Sequence, residues 1–160
     1  MISVLVIDDS AYNRVAISRM LETHAEIRVV ATAVNGEDGI KQLLRHKPDV
    51  VTLDLEMPVM DGFAFLRWTM ANQPTPVIAV SSRSSDRSVF KALELGALDF
   101  IPKPGGRVSP RLPEIGSDLV QKVLQVVHEI GCFFTILQDN QIIMWMEFER
   151  SSNNNRVQAS

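Results

Sequence analysis

Residues 2–10 read Ile2-Ser3-Val4-Leu5-Val6-Ile7-Asp8-Asp9-Ser10, six mostly apolar, β-branched-rich residues that stop on a pair of carboxylates. A run this short cannot make an ordinary helix, and its near-continuous apolar character is that of a strand covered on both faces. Four more runs of the same kind follow, Ile27–Val34, Val50–Leu53, Val77–Val80 and Leu98–Ile101. Between them the period becomes helical: Ile17, Met20 and Leu21; Ile40, Leu43 and Leu44; Phe63, Leu66 and Met70; Val89 and Leu93; and, after Pro104, Val120, Val123, Val127 and Ile130. The punctuation agrees, with Ser10 placed to cap the first helix, Pro48 to stop the second, Asp61 to open the third and Gly96 to end the fourth. The pattern predicts an α/β fold of five βα units, a parallel sheet with helices on both faces and right-handed crossovers.

Around this frame, the 160 residues suit one domain plus a tail, since single cores usually run to about 100–150 residues. The composition, 46% hydrophobic and 22% charged, is globular, and the net charge of -3 with scattered basic residues lacks the footprint of a nucleic-acid binder. No apolar run approaches the roughly 20 residues of a membrane span. Met1–Ile7 meets Asp8 before it reaches the length of a signal-peptide core and carries no basic leader. With Cys132 as the single cysteine, no internal disulfide is available, and the expected compartment is the cytoplasm. Residues 105–118, rich in Gly, Pro and Ser, read as a connector into the last helix. Phe133–Leu137 and Ile142–Phe148 flank a polar QDNQ and suggest either a hairpin folded onto the domain or an exposed strand that pairs with another chain, while Ser151–Ser160 reads as disordered. Trp68, Trp145 and Met57, Met60, Met70, Met144 and Met146 read as packing residues.

In open parallel sheets, ligands sit beyond the carboxyl ends of the strands. The residues at those ends are Asp8 and Asp9 after the first run, Asp54 after the third, Ser81 and Ser82 after the fourth and Lys103 after the fifth. Taken singly, each has an ordinary explanation as a turn, a cap or an exposed loop residue. Together on one rim they form a constellation. Carboxylates crowded into a partly dry pocket repel each other and call for a cation. Mg2+ takes hard oxygen ligands, usually only one or two of them carboxylates. That leaves a carboxylate free to accept a phosphoryl group as an acyl phosphate, with a lysine offering charge and a hydroxyl a hydrogen bond to the phosphate oxygens.

VLVIDDS (residues 4–10), LDLEMPVMDG (53–62), VSS (80–82) and DFIPKP (99–104) resemble the receiver domain of two-component response regulators over Met1 to about Pro104. The longer strings LDLEMPVMDGFAFLR, TPVIAVSS and ALELGALDFIPKP are similar to the receivers of chemotaxis protein-glutamate methylesterases. The resemblance implies a flavodoxin-like sheet in the order 2-1-3-4-5. It implies that Asp54 is the phosphoacceptor and that Asp9, with Asp8 through water, holds Mg2+ or Mn2+ together with Asp54 and the backbone carbonyl of Glu56. By the same resemblance Ser81, Ser82 and Lys103 bind the phosphoryl group. Ser81 and Phe100 then carry the switch to the surface of the fourth helix, fifth strand and fifth helix. Lys103-Pro104 matches a position where the peptide is usually cis, and Glu56 and Arg83 lie where the family varies the lifetime of the phosphoryl group. The implied partners are a histidine kinase as phosphodonor and chemotaxis receptors or an effector domain.

The resemblance divides the chain into a receiver over 1–131, including the fifth helix, and a tail over 132–160. No GxSxG elbow is present, and His24, His46 and His128 fall in or beside predicted helices, so these residues do not supply an esterase triad. The chain reads as a receiver cut from a longer regulator or as a stand-alone receiver with an unusual ending. Asp54-Leu55-Glu56 faintly resembles the nucleophile motif of haloacid-dehalogenase-like phosphotransferases, but there the acidic pair comes last, whereas here it comes first. GxGxxG and GxxxxGK[ST] are absent, and the 29 residues beyond Gly131 are too few for most DNA-binding modules. A degenerate receiver acting only as a protein-interaction module is the alternative that stays open.

Overall fold

In a computed structural model the described residues are 1–82, 85–105, 108 and 110–134, with side chains described as far as 130. The five apolar runs become β1 (Ile2–Ile7), β2 (Ile27–Ala33), β3 (Val50–Leu53), β4 (Val77–Ser81) and β5 (Asp99–Pro102). They alternate with α1 (Ala11–Leu21), α2 (Gly36–His46), α3 (Gly62–Asn72), α4 (Asp86–Glu94) and α5 (Gly116–Phe134). All neighbouring strands pair in parallel in the order β2-β1-β3-β4-β5, the flavodoxin-like arrangement. Met1–Val127 forms one compact unit, and the division from His128–Ser160 falls within α5. The suggested hairpin and the polar end lie outside the described residues except for Phe133 and Phe134, which are helical. Among the described residues no helix is long and apolar enough to cross a membrane.

The helix ends follow local chemistry. The Ser10 hydroxyl accepts the Asn13 N–H, the Asp61 carboxylate accepts that of Ala64, and α2 stops at Lys47, in the left-handed region at φ 45°, just before Pro48. Gly96 ends the fourth unit at φ 111°, where a side chain would be strained. One core cluster joins Leu5, Ile7, Val51, Leu53, Val77 and Ala79 of the sheet to Leu43 of α2, Phe63, Phe65 and Leu66 of α3 and Ala92 of α4. Strand side chains alternate, so Val4, Val6, Thr52, Ile78 and Val80 face the other side, where Ile17, Leu21, Leu119 and Val123 are buried. Each large side chain so covered contributes about 1.5–3 kcal/mol relative to leaving it exposed.

Several faces differ from the sequence reading. The buried stripe of α5 is Leu119, Val123 and Val126, one position off the stripe through Val120 and Val127, because this helix is apolar enough around its girth to satisfy either spacing. In α4 the core contact is Ala92, whereas Leu93 is exposed and Phe90 is 66% exposed; Leu44 of α2 is exposed as well. The connector contains a 3-10 helix, Leu112–Ile115, whose Leu112 is fully buried. Trp68, Met57, Met60 and Met70 pack in or against the core, as read; Trp145, Met144 and Met146 lie outside the described residues.

Gly62 opens α3 against the segment that follows β3: a Cβ there would lie 2.4 Å from the Asp54 carbonyl oxygen and 2.7 Å from the Leu55 Cα. Both obstacles are backbone and neither has a rotamer to yield. Gly62→Ala is expected to cost about 1–3 kcal/mol, read as a lower urea midpoint with unchanged slope, and to displace the segment that presents Asp54.

Candidate functional site

The sheet ladder runs directly into the site. The Asp8 N–H donates to the Ala33 carbonyl (3.1 Å), the Asp54 N–H to Ile7 (2.9 Å) and the Lys103 N–H to Ser81 (3.0 Å), so the main chain of each residue is held by a neighbouring strand. Their side chains converge. Carboxylate oxygens of Asp8, Asp9 and Asp54 lie within 4.8 Å of one another, with Asp8 and Asp54 buried and Asp9 half-buried. Lys103 is buried too: its Nζ pairs directly with Asp8 Oδ2 and lies 3.3 Å from Asp54 Oδ2. Asp54 Oδ1 accepts the Ser81 hydroxyl at 3.2 Å and the Glu56 N–H at 3.2 Å.

Burial pushes the Asp54 carboxyl up from 3.8 to about 6, with Lys103 pulling it down and Asp8 pushing it up. Even with an ammonium at its side, the buried Asp54 carboxylate is therefore less well accommodated than it is in water. The three converging carboxylates are a hard-oxygen donor set, and the residues present fit Mg2+ or Mn2+.

Of the residues singled out in the sequence, Asp8, Asp9, Asp54, Ser81 and Lys103 are brought together. Ser82 stands one step away, its hydroxyl donating to the Glu56 carboxylate at 3.0 Å, which ties the loop after β3 to the end of β4. Phe100 sits on β5 opposite Ala79, half-buried against the core. The Lys103-Pro104 peptide is trans, since no cis bond occurs among the described residues; the expected cis form is corrected here to the isomer that proline-preceding bonds favour by about 0.5–1 kcal/mol. Arg83 lies outside the described residues. His46 and His128 are exposed, and the half-buried His24 uses Nδ1 to accept the Glu26 N–H at 3.3 Å.

Two residues of α1 join the site that the sequence reading passed over. Arg14 donates to the Asp8 carbonyl oxygen at 2.8 Å, and the fully buried Asn13 donates its side-chain amide to the Asp8 carboxylate. Asn13 left a signal in the sequence: it is polar at the position where the spacing of Ile17, Met20 and Leu21 asks for an apolar residue.

With this geometry in hand, a family model for the response regulator receiver domain matches residues 4–109. The chain belongs to that family. It is 55% identical over 127 residues to protein-glutamate methylesterase/protein-glutamine glutaminase 3 of Geobacter sulfurreducens, covering 79% of this chain and 34% of that protein. It is 53% identical over 127 residues to the enzyme numbered 1 of Myxococcus xanthus, covering 79% of this chain and 37% of that protein. The receiver thus spans about a third of the length of the curated relatives it matches. Among solved structures, the response regulator domain of Thermotoga maritima CheB superposes with a TM-score of 0.76 at 35% identity, over 80% of this chain and 97% of that one. This is a CheB-type receiver, and the dehalogenase-like reading falls away, because the acidic pair follows β1 and the lone Asp54 follows β3.

Proposed function

We propose that the receiver accepts a phosphoryl group on Asp54 from the phosphohistidine of a histidine kinase in the cytoplasm and thereby regulates a protein-glutamate methylesterase domain of the chemotaxis pathway. The observation that carries the reading is the convergence of Asp8, Asp9 and Asp54 with Lys103 and Ser81 at the strand ends. In the transfer, a carboxylate oxygen of Asp54 forms the new O–P bond as the P–N bond of the donor breaks, and the departing imidazole nitrogen keeps the electron pair and takes up a proton. Asp9, Asp54, the Glu56 carbonyl and, through water, Asp8 would hold Mg2+ or Mn2+, which supplies positive charge to the phosphoryl oxygens. Lys103, already 3.3 Å from Asp54 Oδ2, is placed to pair with one phosphoryl oxygen, and the Ser81 hydroxyl to donate to another.

The new charge competes for Lys103 and Ser81, and their movement, followed by Phe100, is the event read out at the surface of α4, β5 and α5. A methylesterase domain is the partner this surface would serve, a reading supported by the relatives' names; chemotaxis receptors are a second partner, implied by the resemblance alone. A receiver that only docks, without phosphorylation, has no need of an acceptor flanked by a cation, a hydroxyl and two further carboxylates. Intact mass after incubation with acetyl phosphate and Mg2+ tests the reading. One labile phosphoryl adduct is expected in the wild type and none in Asp54→Asn or in the chelated sample; an adduct of equal yield in Asp54→Asn would refute the assignment.

A further inference from the structure

Asn13 is the third residue of α1 and fully buried. Its main-chain N–H is held by the Ser10 hydroxyl at 3.3 Å, which sets the first turn of the helix. A helical side chain leans toward the N-terminus of its own helix, here toward the end of β1. The Asn13 amide nitrogen lies 3.3 Å from Asp8 Oδ1 and 3.3 Å from Asp8 Oδ2. Oδ1 also accepts the Ser10 N–H at 2.9 Å, and Oδ2 pairs with Lys103. Lys103 is shared with Asp54 and is the group a phosphoryl oxygen would draw away. The Asn13 amide is neutral and touches both oxygens of Asp8.

We propose that Asn13 is a positioning residue of the acidic site: its amide fixes the Asp8 carboxylate in the orientation in which it converges with Asp9 and Asp54, and so sets the affinity for a divalent cation. The proposal rests on the metal-binding reading of that cluster. It also gives Asp8 a partner that stays in place when Lys103 turns to the phosphoryl group. Partners that orient metal-site ligands typically contribute about 10–100-fold in affinity.

Calorimetric titration of the full chain with Mg2+ tests this, comparing wild type with Asn13→Leu, which keeps the branched skeleton and removes the donor, and Asn13→Ala, which keeps the test open if the bulkier leucine prevents folding. Ile17→Val, one turn further along the same buried face, is the structural control, since it loosens α1 without touching Asp8. The expected result is a Kd about 10-fold weaker for the Asn13 variants, each still unfolding cooperatively, and an unchanged Kd for Ile17→Val. Equal affinity in wild type and the Asn13 variants would overturn the proposal and leave the metal site intact. So would an equal loss in Ile17→Val, because the effect would then be general to the helix. No binding by the wild type would overturn the metal reading and this proposal with it.

Discussion

Asp54→Asn should make the metal-free protein more stable at pH 8, by about 1–2 kcal/mol, while abolishing its phosphorylation. A carboxyl whose folded value is about 6 in place of 3.8 costs the native state about 3 kcal/mol once it is ionised. The neutral amide removes that cost but sets an NH2 group toward Lys103, which returns part of it. The sign follows from proton counting. Between pH about 4 and 6 the folded state holds the Asp54 proton more tightly than the unfolded chain does, so this group's contribution to stability falls as pH rises through that window and stays low above it. The advantage of Asp54→Asn should therefore be full above pH 6 and vanish near pH 4. Urea midpoints across pH 4–8 with EDTA present check it, and a variant less stable than wild type at pH 8 would show that the Lys103 pairing outweighs the burial of Asp54.

The opposite sign is expected for Lys103→Met. The methionine keeps the stem packed and removes the ammonium that pairs with Asp8 and approaches Asp54. Two buried carboxylates are left facing each other, and breaking a buried pair from one side typically costs about 3–5 kcal/mol. At pH 8 without metal, this variant should show the largest loss among those named here, recovering on acidification as Asp54 takes up its proton and on addition of Mg2+. Thermal unfolding with and without Mg2+ at pH 8 and pH 5 measures both recoveries. A loss independent of pH and of Mg2+ would mean that Lys103 matters for packing and not for charge. Where the variant does accept a phosphoryl group, the modification should no longer alter the environment of Phe100.

Much of the site was legible in the sequence because it sits where apolar runs end. Asp8, Asp9, Asp54 and Lys103 each follow a strand whose boundaries are marked by composition, and a parallel sheet collects such positions on one rim. What escaped depends on helix rotation. Nothing in residues 116–134 separates the stripe through Leu119 and Val126 from that through Val120 and Val127, because α5 offers apolar residues to both. Asn13 is a different case: the spacing of Ile17, Met20 and Leu21 already turns it inward, but nothing in the sequence says that its amide meets Asp8, a contact made only by the first turn of α1 against the end of β1. The Ser82–Glu56 hydrogen bond joins residues 26 positions apart across two loops, a pairing with no periodic signature. In α4, Ala92 forms the buried contact while the larger Phe90 and Leu93 stay outside, against the rule that the biggest apolar side chains mark the inner face.

A phosphoryl group on Asp54 can be located chemically. Borohydride converts an aspartyl phosphate to homoserine and leaves free carboxylates untouched, so reducing the acetyl phosphate-treated protein and sequencing its peptides by mass spectrometry locates the acceptor directly. Homoserine is expected at position 54, dependent on Mg2+ and on acetyl phosphate, with Asp8 and Asp9 unchanged. Homoserine at Asp8 or Asp9, or none anywhere in a protein whose mass shows the adduct, would rule out Asp54 as the acceptor.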